Sequence, residues 1–140
     1  MLTSNAPATQ NRTQGRTRAL SAAGGTLAAV AVWIIEVPLI GVDLSVRLGS
    51  GHPQTIGIGQ VIGASLTASL LGWLLLALLG KRTPRARTAW TSAALAALIV
   101  SLALPLSAAT TTSATIGLIA MHLAVAAVVI PSMGRTVRTH

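Results

Sequence analysis

Four apolar runs, each about 20 residues long and separated by short polar segments, constrain this chain more than any other feature of its sequence. They lie at about 19–40, 57–80, 88–107 and 113–132. A helix needs about 20 apolar residues to cross a hydrocarbon core of roughly 30 Å. Because the backbone amides of such a segment find no water inside a bilayer, the segment is expected to be helical. The sequence therefore predicts an all-α fold, a four-helix transmembrane bundle.

The composition agrees with a membrane protein and excludes several other classes. Charged residues make up 9% of the chain, against roughly 25% in soluble domains. Without cysteine there is no disulfide framework, thiolate metal site or thiol chemistry. Residues 1–18 are polar and show no helical or strand period, so we expect a disordered basic tail there. Residues 19–133 then form a single transmembrane domain, and 134–140 form a short second tail.

The net charge of +8 would suggest a nucleic-acid binder, but the positions of the basic residues favour a different interpretation. Three basic segments alternate with two that are nearly free of Lys and Arg. The basic segments contain Arg12, Arg16 and Arg18, then Lys81, Arg82, Arg85 and Arg87, then Arg135 and Arg138. Lys and Arg accumulate in the cytoplasmic loops of membrane proteins. The pattern predicts a multi-pass plasma-membrane protein with both termini in the cytoplasm. Its expected partners are the lipid bilayer and either a second copy or another membrane protein, not nucleic acid.

Small residues recur at a spacing of four along the predicted helices. They are Gly24, Ala28, Gly25 and Ala29 on helix one, Gly59, Gly63 and Thr67 on one face of helix two with Ala64, Ala68 and Gly72 on another, and Ala89, Ala93, Ala97, Ser101 and Pro105 on helix three. Small residues let helix backbones approach closely, which favours association inside lipid. We expect close helix contacts at these faces, although alanine-rich helices also produce such spacings by chance.

The segment between helices one and two carries a two-residue alternation of apolar and polar side chains. In VDLSVRL at 42–48, apolar residues alternate with Asp43, Ser45 and Arg47, which favours a half-buried strand. GSGHP follows as a turn, and QTIGIG at 54–59 is suited to a second strand. A small outward hairpin fits this pattern, and an irregular loop or a continued helix fits it equally. Asp43 and Arg47 are the charges of this outer loop.

Two ionisable side chains lie inside the predicted helices, where charge is expensive and function is the first hypothesis. At 1.5 Å per residue, Glu36 lies roughly 7 Å below the outer boundary and His122 roughly 14 Å below it. With Gln60 near the outer boundary and Ser101 about 10 Å deep, they are candidates for an intramembrane polar cluster. Its functional interpretation is a proton-responsive or substrate-binding site. Its structural interpretation is hydrogen bonding that sets the helix register, or pairing of Glu36 with Arg47.

Several segments together resemble a family of small four-helix membrane proteins of unknown function found in actinobacterial genomes. The segments are GVDLSVRLG after helix one, GWLLLALL at the end of helix two, RARTAW at the start of helix three, SLALPLSA at its end, and IAMHLAVAAVVIP in helix four. They cover nearly everything from about 27 to 131. The resemblance implies a plasma-membrane location and the same four-helix layout, and it supplies no activity, ligand or catalytic residue.

The sequence offers no arrangement of nucleophile and base, no metal-ligand spacing and no nucleotide-binding loop. We therefore expect no enzyme, no catalytic residue, and neither a metal nor another cofactor. The expected function is that of a non-catalytic structural or accessory component of the cell envelope that acts through helix packing. The alternative is a small transporter or proton-linked sensor that uses Glu36 and His122.

Overall fold

Helices account for most of the structure, a computed structural model that describes residues 6–83 and 85–136, with side chains from residue 14 onward. The first helix is α1 (Ala6–Ile34), which continues into a π-helical turn (Ile35–Leu39). Two short strands follow, β1 (Ser45–Val46) and β2 (Gln54–Thr55). The remaining helices are α2 (Ile58–Arg82), α3 (Ala86–Ser101), α4 (Ala103–Ala108) and α5 (Thr112–Gly134).

Within the described residues, four helical segments are long and apolar enough to cross a membrane, which confirms the predicted four-helix transmembrane bundle. They are Gln14–Leu39, Ile58–Arg82, Ala86–Ala108 and Thr112–Gly134, named spans one to four. The end of the bundle where span one begins is named the basic end, and the opposite end is named the hairpin end. Each span lies within a few residues of the limits that the apolar runs predict.

The segment before span one is helical wherever the structure describes it. Because α1 begins at Ala6, the prediction of a disordered tail over 1–18 is wrong for 6–18, while 1–5 lie outside the described residues. Starting a helix is unfavourable, but extending an existing one fixes a single residue for each new hydrogen bond. The proline of this segment, Pro7, lies in the first turn, where it breaks no helical bond. In the second tail, 137–140 likewise lie outside the described residues.

Spans one and three are both interrupted near a proline at the hairpin end. Pro38 lies inside the π-helical turn, where the amide of Ile40 donates to the carbonyl of Ile35 at 3.0 Å. Gly41, with a φ of +81°, then ends the helix in a conformation that glycine adopts without strain. In span three, α3 ends one residue before Leu102, and Pro105 has no amide to bond the carbonyl of the fourth residue before it.

The outer loop forms a hairpin, which confirms one of the three alternatives that the alternation left open. β1 and β2 pair antiparallel, with Ser45 opposite Thr55 and Val46 opposite Gln54. Val46 also forms a bridge with Ala109, in the segment between spans three and four. The hairpin therefore joins the two inter-helix connections at its end of the bundle.

Two groups of buried apolar side chains fill the bundle. The group toward the hairpin end contains Ala29, Leu44, Val61, Ala114, Leu118 and Met121. The group toward the basic end contains Ala22, Leu76, Trp90, Val129 and Met133. Trp90 is only 2% exposed, so it packs between helices, whereas tryptophans near the ends of membrane spans often lie at the membrane surface.

The small-residue face of helix one packs closely against another helix, but in the described part of the chain the face of helix two that contains Gly59 and Gly63 does not. On helix one, a Cβ atom at position 25 would lie 2.6 Å from Cγ2 of Val129, so α1 and α5 approach closely as predicted. On helix two, Gly59 and Gly63 are exposed, and a Cβ atom at either would meet nothing within 4 Å among the described residues. The prediction of a close contact at that second face is therefore not met within this chain.

Candidate intramembrane carboxyl site

Glu36 lies in the π-helical turn at the hairpin end of span one. Such turns often occur at functional sites because they change the direction in which a helix presents its side chains. The backbone carbonyl of Glu36 accepts a hydrogen bond from the amide of Val42 at 2.8 Å. This bond folds the chain back over the turn and brings Leu44 above the end of the helix.

Gly117 of α5 forms the surface against which the carboxyl group of Glu36 packs. A Cβ atom at position 117 would lie 2.7 Å from Oε2 of Glu36 and 2.9 Å from Cδ2 of Leu44. Cβ atoms essentially never approach other heavy atoms within 3.0 Å, so a larger residue at position 117 would require the side chains of Glu36 and Leu44 to shift. Leu44 is 0% exposed and closes the site from the hairpin end.

One oxygen of the Glu36 carboxyl group has no hydrogen-bond partner. Oε2 is buried, and among the described residues nothing donates to it. Leaving a buried polar group unpaired costs about 1–3 kcal/mol. Arg47, the loop partner that the sequence offered, has an exposed side chain, and its backbone amide donates to the carbonyl of Ala108 at 2.7 Å. Packing stability therefore does not explain why a carboxyl group occupies this position.

Hydrogen bonds hold the hairpin over this carboxyl group. The indole of Trp33 donates to the carbonyl of Ile56 at 3.0 Å, and the amide of Ile56 donates to the carbonyl of Leu44 at 2.8 Å. The amide and hydroxyl of Thr110 donate to the carbonyl of Ser45 at 3.0 and 3.1 Å. Span one and the connection between spans three and four are thus both hydrogen-bonded to the hairpin segment.

The second acidic residue belongs to the hairpin and not to the enclosed site. Asp43 is exposed, and its Oδ1 accepts a hydrogen bond from the hydroxyl of Ser45 at 2.5 Å. This bond lies within the chain segment that leads into β1. Asp43 is therefore a solvent-side carboxylate that matches Glu36 in chemistry but differs from it in burial.

The other members of the predicted polar cluster bond within their own helices. Oε1 of Gln60 accepts from the amide of Gly57 at 2.8 Å, at the exposed start of α2. The hydroxyl of Ser101 donates to the carbonyl of Leu98 at 2.8 Å. Nδ1 of His122 lies 2.7 Å from the carbonyl of Leu118, and because a carbonyl only accepts, Nδ1 carries the proton. The described hydrogen bonds thus do not join the four residues into one cluster.

Gly117 and Leu44 are the site residues that the sequence does not single out. A glycine inside a long apolar run matches many packing roles, and nothing in its neighbours indicates a carboxyl group opposite it. Leu44 is one of several apolar residues in the alternating segment, and only the position of the hairpin over α5 distinguishes it. Both residues depend on which helices are neighbours, which local patterns do not encode.

Together these observations define a four-span membrane protein with a carboxyl group enclosed between spans one and four beneath a hairpin. The chain belongs to a family of unknown function, DUF6069, whose model matches residues 9–139. That match includes all four spans and the hairpin, in agreement with the uncharacterised four-helix family that the sequence resembles. No curated protein and no solved structure matches the chain.

Proposed function

We propose that this protein is an integral plasma-membrane protein that acts without catalysis, as a structural or accessory component of the cell envelope. The observation that supports this role is the local bonding of polar side chains in the spans. Several donate to a carbonyl three or four residues earlier in their own helix; examples are Ser21, Thr26, Ser65, Ser101, Ser107 and Ser132. Side chains bonded in this way leave the helix interfaces to apolar packing.

The distribution of charge supports an orientation with the basic end in the cytoplasm. The described basic residues at that end are Arg16, Arg18, Lys81, Arg82, Arg85, Arg87 and Arg135. The hairpin end carries Arg47. By the positive-inside rule this difference places both termini in the cytoplasm and the hairpin outside. We also propose an actinobacterial source for the protein, because the family that its sequence resembles is found in actinobacterial genomes.

Cysteine labelling tests the orientation, because a chain without native cysteine reports only the residue introduced. In intact cells, an impermeant thiol reagent is expected to label Ser50→Cys, in the exposed turn of the hairpin. Thr88→Cys, an exposed position at the start of α3, is expected to react only after permeabilisation. The reverse pattern would overturn the proposed orientation.

A second candidate function, a proton-linked sensor or small transporter, is favoured by the unpartnered oxygen of Glu36. A carboxyl group that reduces stability by its burial is a reasonable place to look for proton uptake and release. His122 lies five residues after Gly117 on α5, about 7.5 Å farther along the helix axis. It is therefore a candidate second proton carrier and not a direct hydrogen-bond partner of Glu36.

Proton flux into reconstituted vesicles separates the two functions. Vesicles containing the wild-type protein and a pH-sensitive dye are placed in a pH gradient and compared with protein-free vesicles. The structural role predicts equal proton entry in both and no change in Glu36→Gln or His122→Ala. The matched control is Asp43→Asn, which removes the other carboxylate of the chain. A flux that Glu36→Gln abolishes and Asp43→Asn preserves would overturn the structural proposal in favour of the proton-linked one.

A further inference from the structure

All acidic side chains of this protein lie at the hairpin end. The chain contains two Asp and Glu residues in total, Glu36 and Asp43, against ten Lys and Arg residues. Glu36 is near the end of span one, and Asp43 is in the segment that leads into β1. The basic end therefore has no Asp or Glu side chain that neutralises its cations.

Arg18 differs from the other cations of the basic end because its side chain is half-buried and held in place. Its Nε donates to the hydroxyl oxygen of Thr136 at 3.2 Å, across the junction of spans one and four. The same hydroxyl donates its proton to the carbonyl of Met133 at 2.7 Å. Two bonds in series thus attach the guanidinium to the turn that follows α5.

The bond to Thr136 satisfies only one of the five N–H donors of the guanidinium. Thr136 is neutral, and among the described residues no acidic side chain lies at this end to compensate the positive charge of Arg18. A partly desolvated cation without an opposite charge is unfavourable, and an anion at the junction would relieve this cost. A phosphate oxygen pair is well suited, because it accepts two parallel bonds from a guanidinium.

Arg135, next to Thr136 in the sequence, provides a second cation at the end of an exposed apolar face of α5. It directly precedes Thr136 and retains helical backbone angles. Ala127 and Pro131, eight and four residues before it, lie on the same face of α5 and are exposed and apolar. An anion held here by Arg18 and Arg135 would therefore have acyl-chain surroundings directly beside it. A phospholipid has both an anionic phosphate and apolar acyl chains, whereas free phosphate has only the anion.

We propose that Arg18, Thr136 and Arg135 form a binding site for the phosphate of an anionic phospholipid at the junction of spans one and four. The fixed guanidinium gives the site its specificity, and Arg135 adds charge. The exposed cations at 81–87 differ in that they attract anionic lipids diffusely, as a polybasic segment does. The site does not depend on the proposed structural role or on the orientation of the chain.

Lipid binding to the purified full-length protein in mild detergent tests the proposal, with bound species counted by native mass spectrometry. Wild-type protein is expected to bind phosphatidylglycerol about tenfold more tightly than phosphatidylcholine. Arg18→Gln is expected to lose about tenfold of that affinity, and Arg18→Lys is expected to lose less because the charge remains. The matched control, Arg87→Gln, removes one exposed arginine of the 81–87 segment and is expected to change the affinity less than about twofold.

Thr136→Val gives a second measurement that keeps every charge. It frees Arg18 from its hydrogen bond, so the affinity for phosphatidylglycerol is expected to fall about threefold. Equal weakening by Arg18→Gln and Arg87→Gln would overturn the proposal in favour of diffuse attraction. Competition by inorganic phosphate at the same concentration as the lipid would overturn the choice of a lipid. If Arg18→Gln fails to fold, an unchanged affinity in Thr136→Val would by itself overturn the site.

Discussion

Trp90→Ala is expected to lower the free energy of unfolding by about 3–5 kcal/mol, as large-to-small changes of buried aromatic residues do. The indole is 2% exposed and packs where α2 and α5 meet α3. A Cβ atom at Gly72 would lie 3.0 Å from its Cη2, and one at Gly134 would lie 3.5 Å from its Cδ1. Its N–H donates to the carbonyl of Ile130 at 3.3 Å, so alanine would also remove this hydrogen bond.

The effect is large because span three has few other anchors. Only 11% of its apolar window is buried, against 22–28% in the other spans. Unfolding in mild detergent, followed by circular dichroism during titration with a denaturing detergent, measures the change. Trp73→Ala is the matched control, because Trp73 is half-buried and is expected to lose less stability. An equal or larger loss in Trp73→Ala would show that Trp90 is not the main anchor.

Gly25→Leu is expected to lower the free energy of unfolding by about 3 kcal/mol or more, because it overpacks the contact between α1 and α5. At position 25 even a Cβ atom would lie 2.6 Å from Cγ2 of Val129 and 3.6 Å from Cγ1 of Val125. Valine is stiff about χ1 and does not easily turn aside. The helices would have to separate, and the junction that holds Arg18 against Thr136 would open with them.

Gly63→Leu is the matched control for this prediction. Gly63 is exposed, and a Cβ atom there would meet no atom within 4 Å in the part of the chain that the structure describes. Removing an interior helical glycine is expected to stabilise α2 by up to about 1 kcal/mol. The same detergent titration compares the two variants. Equal destabilisation by Gly63→Leu and Gly25→Leu would contradict the described difference between the Gly25 face of α1 and the Gly63 face of α2. It would mean that another chain covers the Gly63 face.

The contrast between Gly25 and Gly63 shows where sequence patterns stop being informative. Both glycines belong to small-residue faces with the same spacing, and the sequence predicts close helix contact at both. The spacing establishes that a backbone could be approached, but it does not identify the neighbouring helix. Span four packs on Gly25, whereas none of the described residues packs on Gly63. Tertiary structure therefore decides which of two equivalent faces becomes an interface.

The candidate site shows the same division. Glu36 and His122 are recognisable from the sequence because a charged or titratable group in an apolar run is rare and costly. Their predicted association with Gln60 and Ser101 assumes that similar depths bring side chains together. In the structure Gln60 caps the start of α2, and Ser101 and His122 bond their own helices. Depth is a one-dimensional quantity, and the rotation of each helix about its axis decides which side chains meet.

The sequence by itself determined the four spans, the alternation that becomes a hairpin, and the concentration of basic residues at one end. These properties follow from the length of apolar runs, local periodicity and the positions of charges, each of which can be read from a short stretch of sequence. Only the tertiary structure decided that Gly117 and Leu44 enclose Glu36 and that Thr136 holds Arg18. Those contacts join residues more than 70 positions apart or depend on a loop folding back, so they arise from helix packing that no local pattern specifies.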